Sequence, residues 1–210
     1  MNERGRTPNM PDGMAEAPFV AILGRSSPDR ISSYSCRMES EVLFRGKHLL
    51  FRRRRKWEYA EHRTAKESVM VVALTADARI VLVEELRPAV NALVVCLPAG
   101  LVGDEGPEDR ESAARRELAE ETGWEATTLE LLGRGPGSAG MSSEIVNFYL
   151  ARGVRRTGEQ GVREKDEIRV HVTALGELER WARDREAEGM LIDPKIWAGV
   201  HLAEAAGASP

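Results

Sequence analysis

Glu117, Glu120 and Glu121 stand at positions i, i+3 and i+4 of the run Arg116-Glu117-Leu118-Ala119-Glu120-Glu121-Thr122-Gly123-Trp124. In a helix that spacing puts all three carboxylates on one face. Like charges so close raise one another's pKa and weaken the helix unless something cationic sits among them. A hard divalent cation such as Mg2+, which takes oxygen ligands, suits the cluster, and Arg116 could hold a carboxylate bidentately. The same residues also make an ordinary solvated helix of Glu/Arg pairs with high helix propensity. What precedes them favours chemistry. An apolar run ends at Leu97, Pro98-Ala99-Gly100 and a glycine-bearing loop follow, and a further acid, Glu108, heads a helix expected over 108–122 and closed by Gly123.

Elements on either side must position that helix. Val69–Leu74 is a continuous apolar run, as in a strand buried on both faces. Asp77-Ala78 makes a short turn, and Ile80–Glu84 is its hairpin partner, ended by Arg87-Pro88. Leu93–Leu97 is a third apolar strand. Upstream, Cys36–Phe51 reads as strand with a turn at Gly46-Lys47, Arg52–Lys56 as a solvated cationic turn or edge, and residues 57–63 as an edge strand. Downstream, strands are expected at Thr128–Gly133, Ile145–Ala151 and Ile168–Val172. Two helices follow, one carrying Leu175, Leu178 and Trp181-Ala182, the other opened by Asp193-Pro194 as N-cap and N1. This order predicts a mixed α/β class.

The 210-residue chain has 30 Lys+Arg against 34 Asp+Glu, a net charge of -4, and 42% hydrophobic residues. That suits one domain with a sizeable core and argues against a dedicated nucleic-acid binder. Cys36 and Cys96 support neither a disulfide framework nor a CxxC zinc site, and they suit a reducing cytoplasm. No run of apolar residues is long enough to predict a spanning helix, and the polar N-terminus does not read as a secretory signal. Residues 1–34, rich in Gly, Pro and Ser, are expected to be a mobile tail.

The segment Gly100–Trp124 resembles the Nudix box, whose pattern is Gly, five residues, Glu, seven residues, Arg-Glu-aliphatic-x-Glu-Glu-x-Gly-hydrophobic. Residues 109–115 supply the seven between Glu108 and Arg116. Between Gly100 and Glu108 this chain has seven residues rather than five, an insertion in a loop, where extra length is tolerated best. Trp57-Glu58, Arg87-Pro88, Leu97–Leu101, Ser138–Glu144 and Asp166–Val172 resemble the ADP-ribose pyrophosphatase branch of that family. The similarity runs over roughly residues 36–205.

This resemblance implies a Nudix α/β/α sandwich with a mixed sheet over residues 67–205. A small N-terminal antiparallel sheet, residues 35–66, precedes it and joins two subunits into a homodimer. It also implies Mg2+-dependent hydrolysis, with Mn2+ able to substitute. The bond is the pyrophosphate of ADP-ribose or a related nucleoside diphosphate sugar, and the products are a nucleoside monophosphate and a sugar phosphate. Metal ligation falls to Glu117, Glu120, Glu121 and the Ala99 carbonyl, with Asp166 as a further ligand. Catalysis falls to Arg116, Glu120 and a general base, Glu164, on the acidic loop before Ile168; a slip in register moves that role to Glu167.

Substrate contacts implied by the same resemblance are Trp57 stacking on adenine across the dimer, Glu58 at the base edge, Arg87 on a phosphate or ribose, and Glu144 after the Ser-x-Gly loop. Plain alternatives are edge-strand packing or an interface for Trp57, a surface ion pair for Arg87 and a solvated acidic loop for residues 163–167. Trp124 and Trp181 read as core, His171 as a strand histidine and Cys96 as a small buried hydrophobe. Ser138-Ala139-Gly140 departs from the branch's Ser-Pro-Gly turn and admits other nucleoside diphosphate sugars. The alternative function is a non-catalytic sensor of such ligands, against which the complete set Glu108, Arg116, Glu117, Glu120 and Glu121 argues.

Overall fold

The computed structural model describes residues 39–104, 106–158 and 168–208. The expected tail over 1–34, Cys36, and the candidates Glu164, Asp166 and Glu167 lie outside the described residues.

Strands β1 (Glu41–Arg45), β2 (Leu49–Arg54) and β3 (Trp57–His62) form a three-stranded antiparallel sheet in that order. Gly46 closes the first turn by donating its N–H to the Leu49 carbonyl at 2.8 Å. The expected solvated turn or edge over Arg52–Lys56 is a correction: Arg52–Arg54 belong to β2, the central strand of this sheet, and only Arg55-Lys56 turn. Arg52 is held there by Glu61 at 2.9 Å and Ser40 at 2.8 Å, so pairing across strands overrides the charge run. The outer edge of β3 is not free either. Ala60 donates to the Met141 carbonyl at 2.8 Å and accepts from Ser143 at 3.1 Å, so a loop from the main body continues this sheet.

The larger sheet is mixed. Its path runs β12 (Leu191–Ile192), β6 (Ala92–Cys96), β5 (Arg79–Arg87), β4 (Glu67–Thr75), β10 (Ile145–Arg156) and β8 (Trp124–Glu125); off this path β11 (Ile168–Ala174) pairs β5, β7 (Ala99–Leu101) pairs β4 and β9 (Thr128–Pro136) pairs β10. The β4–β10 and β6–β12 pairs are parallel and the rest antiparallel. β4 and β5 pair only through Ala73–Val81 and Leu74–Ile80. Beyond that point they diverge, and β7 takes the vacated edge of β4 through Ser68–Leu101, Val69–Gly100 and Met70–Ala99. This splay sets Ala99-Gly100 alongside Val69 and Met70 of β4.

Alternation along β4 sends Val69, Val71 and Ala73 to one face and Met70 and Val72 to the other. The first set packs with Ala113, Ala114 and Leu118 of α1 (Arg110–Thr122). The second packs with Leu178 of α2 (Leu178–Ala187) and with Ile196 and Ala203 of α3 (Lys195–Ala205). Val69, Val71 and Val72 are fully buried, which stabilises the fold by about 1.5–3 kcal/mol per side chain. The result is a three-layer α/β/α sandwich beside a small antiparallel sheet. Among the described residues, no helix is long and apolar enough to cross a membrane.

Element boundaries moved where capping decides them. The expected helix start at Glu108 is corrected to Arg110, because Asp109, not Glu108, caps it by accepting from the Ser112 N–H at 2.7 Å. Its end holds: Gly123 adopts φ 71°, a left-handed turn that favours glycine, and donates to the Ala119 carbonyl at 2.9 Å. Leu175 sits in a 3-10 turn ahead of α2. The expected N-cap at Asp193 moves to Pro194, with α3 starting at Lys195, whose N–H donates to Asp193 Oδ1 at 2.9 Å.

Candidate functional site

Arg116 organises the carboxylates. Its guanidinium meets Glu108 twice, Nη2 to Oε1 at 2.8 Å and Nε to Oε2 at 3.2 Å. Through Nη1 it reaches Glu117 Oε1 at 2.8 Å and Glu120 Oε2 at 3.2 Å, and through Nη2 it donates to the Leu101 carbonyl at 3.2 Å. One side chain therefore ties α1 to both ends of the long loop between Gly100 and Glu108, which explains why that loop tolerates its extra length. Glu108 also accepts from the Gly103 N–H at 3.0 Å, and its pKa is lowered, chiefly by the Arg116 hydrogen bond. The Arg116 pKa is raised, first by that same bond.

Glu117 behaves differently from Glu108. Burial pushes its pKa up to about 7, against the pull of Arg116. Its carboxylate presses on the backbone of Gly100, where an added Cβ would lie 1.9 Å from Glu117 Cδ and Oε1. The box glycine is thus required by close approach rather than by a turn. Glu121, 6% exposed, accepts from the Ala99 N–H at 3.0 Å. The structure therefore brings Ala99, Gly100, Glu117 and Glu121 together where β7 passes α1, with Glu120 half-buried beside them.

These donors are carboxylate and carbonyl oxygens, which suit a hard divalent cation. A carboxyl driven toward neutrality by burial is also a group that an added positive charge would relieve. Among the described residues, no three acidic, histidine or cysteine side chains converge as a cation cage. Arg116 lies between Glu117 and Glu120, and Asp166 is outside the described residues.

Arg87 stands at the end of β5 on the face that carries α1. Burial works against its charge, but Glu85, Cys96 and Glu121 outweigh burial and raise its pKa. It is paired with Glu85, so the ion pair expected as its plain alternative exists, although within reach of the carboxylate helix. Trp57 is 61% exposed, which excludes core packing within this chain, and Glu58 beside it is exposed opposite Arg53. Among the described residues, no hydrogen bond or ion pair joins either to α1. The Glu144 backbone N–H donates to Ser142 Oγ at 2.9 Å, in the same loop that docks on β3. Trp124 and Trp181 are half-buried and pack against the two core faces.

His171 is a strand residue whose Nε2 lies 2.7 Å from Glu84 Oε2, beneath Trp181 on the face opposite α1. Cys96 is 2% exposed, its thiol pushed up to about 12 by burial. Sequence reasoning missed two acids. Glu67 gathers Arg110, Arg134 at 3.2 Å and Asn147 at 3.2 Å around the start of α1. Glu85 holds Arg87. No local pattern marks Glu67, because its partners come from α1, β9 and β10; for Glu85 the signal was its i, i+2 spacing from Arg87 within β5.

A NUDIX domain family model matches residues 64–190. Over 101 residues, 48% of this chain, the sequence is 36% identical to a methanol dehydrogenase activator of Bacillus methanolicus and 34% identical to an ADP-ribose pyrophosphatase of Bacillus subtilis, covering 54% of each. Over the same length it is 37% identical to an ADP-ribose pyrophosphatase of Mycobacterium tuberculosis, covering 47% of it. The chain thus spans about half the length of these curated relatives. A crystal structure of an ADP compounds hydrolase superimposes with a TM-score of 0.61 at 20% identity, covering 80% of this chain and 91% of that one, a likeness of fold. With the family model spanning more than half of the chain and the box carboxylates placed around Arg116 and Gly100, the chain belongs to the NUDIX domain family.

Proposed function

We propose that this chain hydrolyses the pyrophosphate bond of ADP-ribose or a related nucleoside diphosphate sugar, giving a nucleoside monophosphate and a sugar phosphate. The observation that carries the reading is the convergence of Glu117 and Glu121 on the Ala99-Gly100 backbone, with Arg116 bracing Glu108, Glu117 and Glu120. Two relatives bearing the name ADP-ribose pyrophosphatase support the substrate class. Glu117, Glu120, Glu121, the Ala99 carbonyl and Asp166 would hold Mg2+, with Mn2+ able to substitute. When bound, that ion supplies charge neutralisation at the phosphate oxygens.

The remaining work belongs to the chain. Arg116 keeps the carboxylates at fixed separation. Glu164 takes a proton from the attacking water, whose oxygen bonds to one phosphorus as the bond from that phosphorus to the bridging oxygen breaks. Arg87 meets a phosphate or ribose, Glu144 contacts the substrate, and Trp57 and Glu58 receive the base, in a homodimer whose small sheets face one another. A cytoplasmic setting fits the two thiols. Ser138-Ala139-Gly140 leaves the sugar open.

Incubation with ADP-ribose and Mg2+, followed by chromatography, tests the proposal. AMP and ribose 5-phosphate are expected in equal amounts, with none formed in EDTA. Ligand that binds but stays intact at saturating Mg2+ across a panel of nucleoside diphosphate sugars would instead favour a sensor.

A further inference from the structure

Arg87 is held from behind. Glu85, two residues earlier on the same strand and therefore on the same face, pairs with its guanidinium. Arg87 Nη2 also donates to Cys96 Sγ at 3.9 Å, and the Cys96 thiol donates to Glu85 Oε1 at 3.8 Å. The three side chains close a small ring whose base is the buried cluster of Val83, Cys96 and Ile168. Cys96, 2% exposed, is the innermost of the three, and of the two charged side chains the carboxylate is the inner one: the Glu85 side chain is 18% exposed and that of Arg87 47%. The thiol is neutral, so Glu85 supplies the ring's counter-charge. A guanidinium has five N–H donors, and those turned away from Glu85 and Cys96 remain for a ligand on the α1 side.

We infer that Glu85 is a positioning residue for substrate binding, fixing the Arg87 guanidinium on the carboxylate-helix side so that it meets an anionic substrate group without first losing its rotamer freedom. This rests on the pyrophosphatase reading for the substrate that Arg87 meets. An arginine at a strand end has many rotamers, and ordering it only on binding weakens affinity. A carboxylate that close to a phosphate would repel it unless an arginine stood between them. The order along the face, Glu85 behind and Arg87 in front, satisfies both requirements. The effect falls on affinity rather than on the chemical step, because Glu85 itself touches no reacting atom.

A double-mutant cycle reads this directly. Glu85→Leu, which keeps apolar contact with Val83 and Ile168, is expected to raise KM for ADP-ribose about tenfold with kcat changed less than about threefold. Glu85→Gln retains an acceptor for Arg87 and should recover most of that loss. Arg87→Leu should raise KM at least as much as Glu85→Leu, and adding Glu85→Leu to it should cost nothing more, or regain affinity by removing an unpaired carboxylate. Additive penalties, an unchanged KM in Glu85→Leu, or a glutamine variant no better than leucine would overturn the inference. If the leucine variant does not fold, the cycle is run with Glu85→Gln, whose smaller rise in KM must vanish in the Arg87→Leu background. The Kd for ADP-ribose, measured by calorimetry, must follow the same pattern. Turnover with additive Kd effects defeats this inference alone, and a coupled Kd cycle in a chain with no turnover defeats only the pyrophosphatase reading.

Discussion

Glu117 and Glu121 lie one helical turn apart but have different partners, and their substitutions separate catalysis from stability. Arg116 keeps Glu108 if Glu117 becomes glutamine, so no buried cation is orphaned, and the cost of burying the Glu117 charge disappears. Glu117→Gln and Glu121→Gln should each cut turnover by roughly a hundredfold or more, the scale of a lost metal contact. The thermal midpoint of Glu117→Gln, measured in EDTA, should not fall. A variant with near-normal turnover would remove that residue from the ligand set. Gly100→Ala tests the same site from the backbone. The added methyl collides with the Glu117 carboxylate, the far end of a flexible side chain that can swing aside. The protein should therefore fold and melt within a few degrees of the wild type while losing most of its activity, as read by calorimetry beside the AMP assay.

Between elements, ion pairs and close packing hold the sandwich together. Glu67 of β4 binds Arg110 at the start of α1, Arg134 of β9 and Asn147 of β10. Its pKa is lowered first by the Arg110 hydrogen bond, with Asn147, Arg110 and Arg134 adding to the shift against burial. A carboxyl whose folded pKa lies below its unfolded value stabilises the fold above the unfolded pKa and loses that contribution as pH falls through the folded one. Glu67→Gln should therefore lower the melting temperature by a few degrees at pH 7, and by progressively less as pH falls through the folded pKa of the wild-type carboxyl. In α3, Gly199 is a weak helix former, and alanine would gain up to about 1 kcal/mol from propensity. Its Cβ, however, would lie 2.9 Å from both Leu97 Cδ1 and Val72 Cγ2, side chains that are 1% and 0% exposed. Overpacking at about 1–3 kcal/mol wins, so Gly199→Ala should lower the urea midpoint.

At the scale of the molecule, the small sheet presents Phe44 (66% exposed), Leu49 and Phe51 on one face, with Phe44 and Phe51 directly paired across β1 and β2. This apolar face is the surface on which the proposed homodimer can be tested. Because the loop at Met141–Ser143 already occupies part of the outer edge of β3, a second copy is better received by this face than by that edge. Light scattering is expected to give about twice the 23.2 kDa chain mass at micromolar concentration. Phe44→Ser with Phe51→Ser should shift the protein to monomer and raise KM if Trp57 serves the neighbouring copy. A monomeric wild type with full activity would defeat the dimer-built site.

The carboxylate helix, its C-terminal glycine, the three apolar strands before it and the α/β class were legible in the sequence, because each depends on contacts within a few residues: i, i+4 spacing, alternation, a cap. What the sequence alone left open was which acid does what. Glu108, Glu117 and Glu121 are the same residue type, yet one is stabilised as an anion by Arg116, one is pushed toward neutrality by burial against Gly100, and one is tethered to the Ala99 N–H. Those differences come from β4 and β5 parting company after two residue pairs, so that β7 can enter beside α1. The partners of Glu67, the docking of residues 141–143 on β3 and the placing of Arg52 within a strand arise from the same long-range pairing. Local propensity is decided over about one helical turn, whereas the environment of a charge is decided by whatever the folded chain brings within a few ångströms of it.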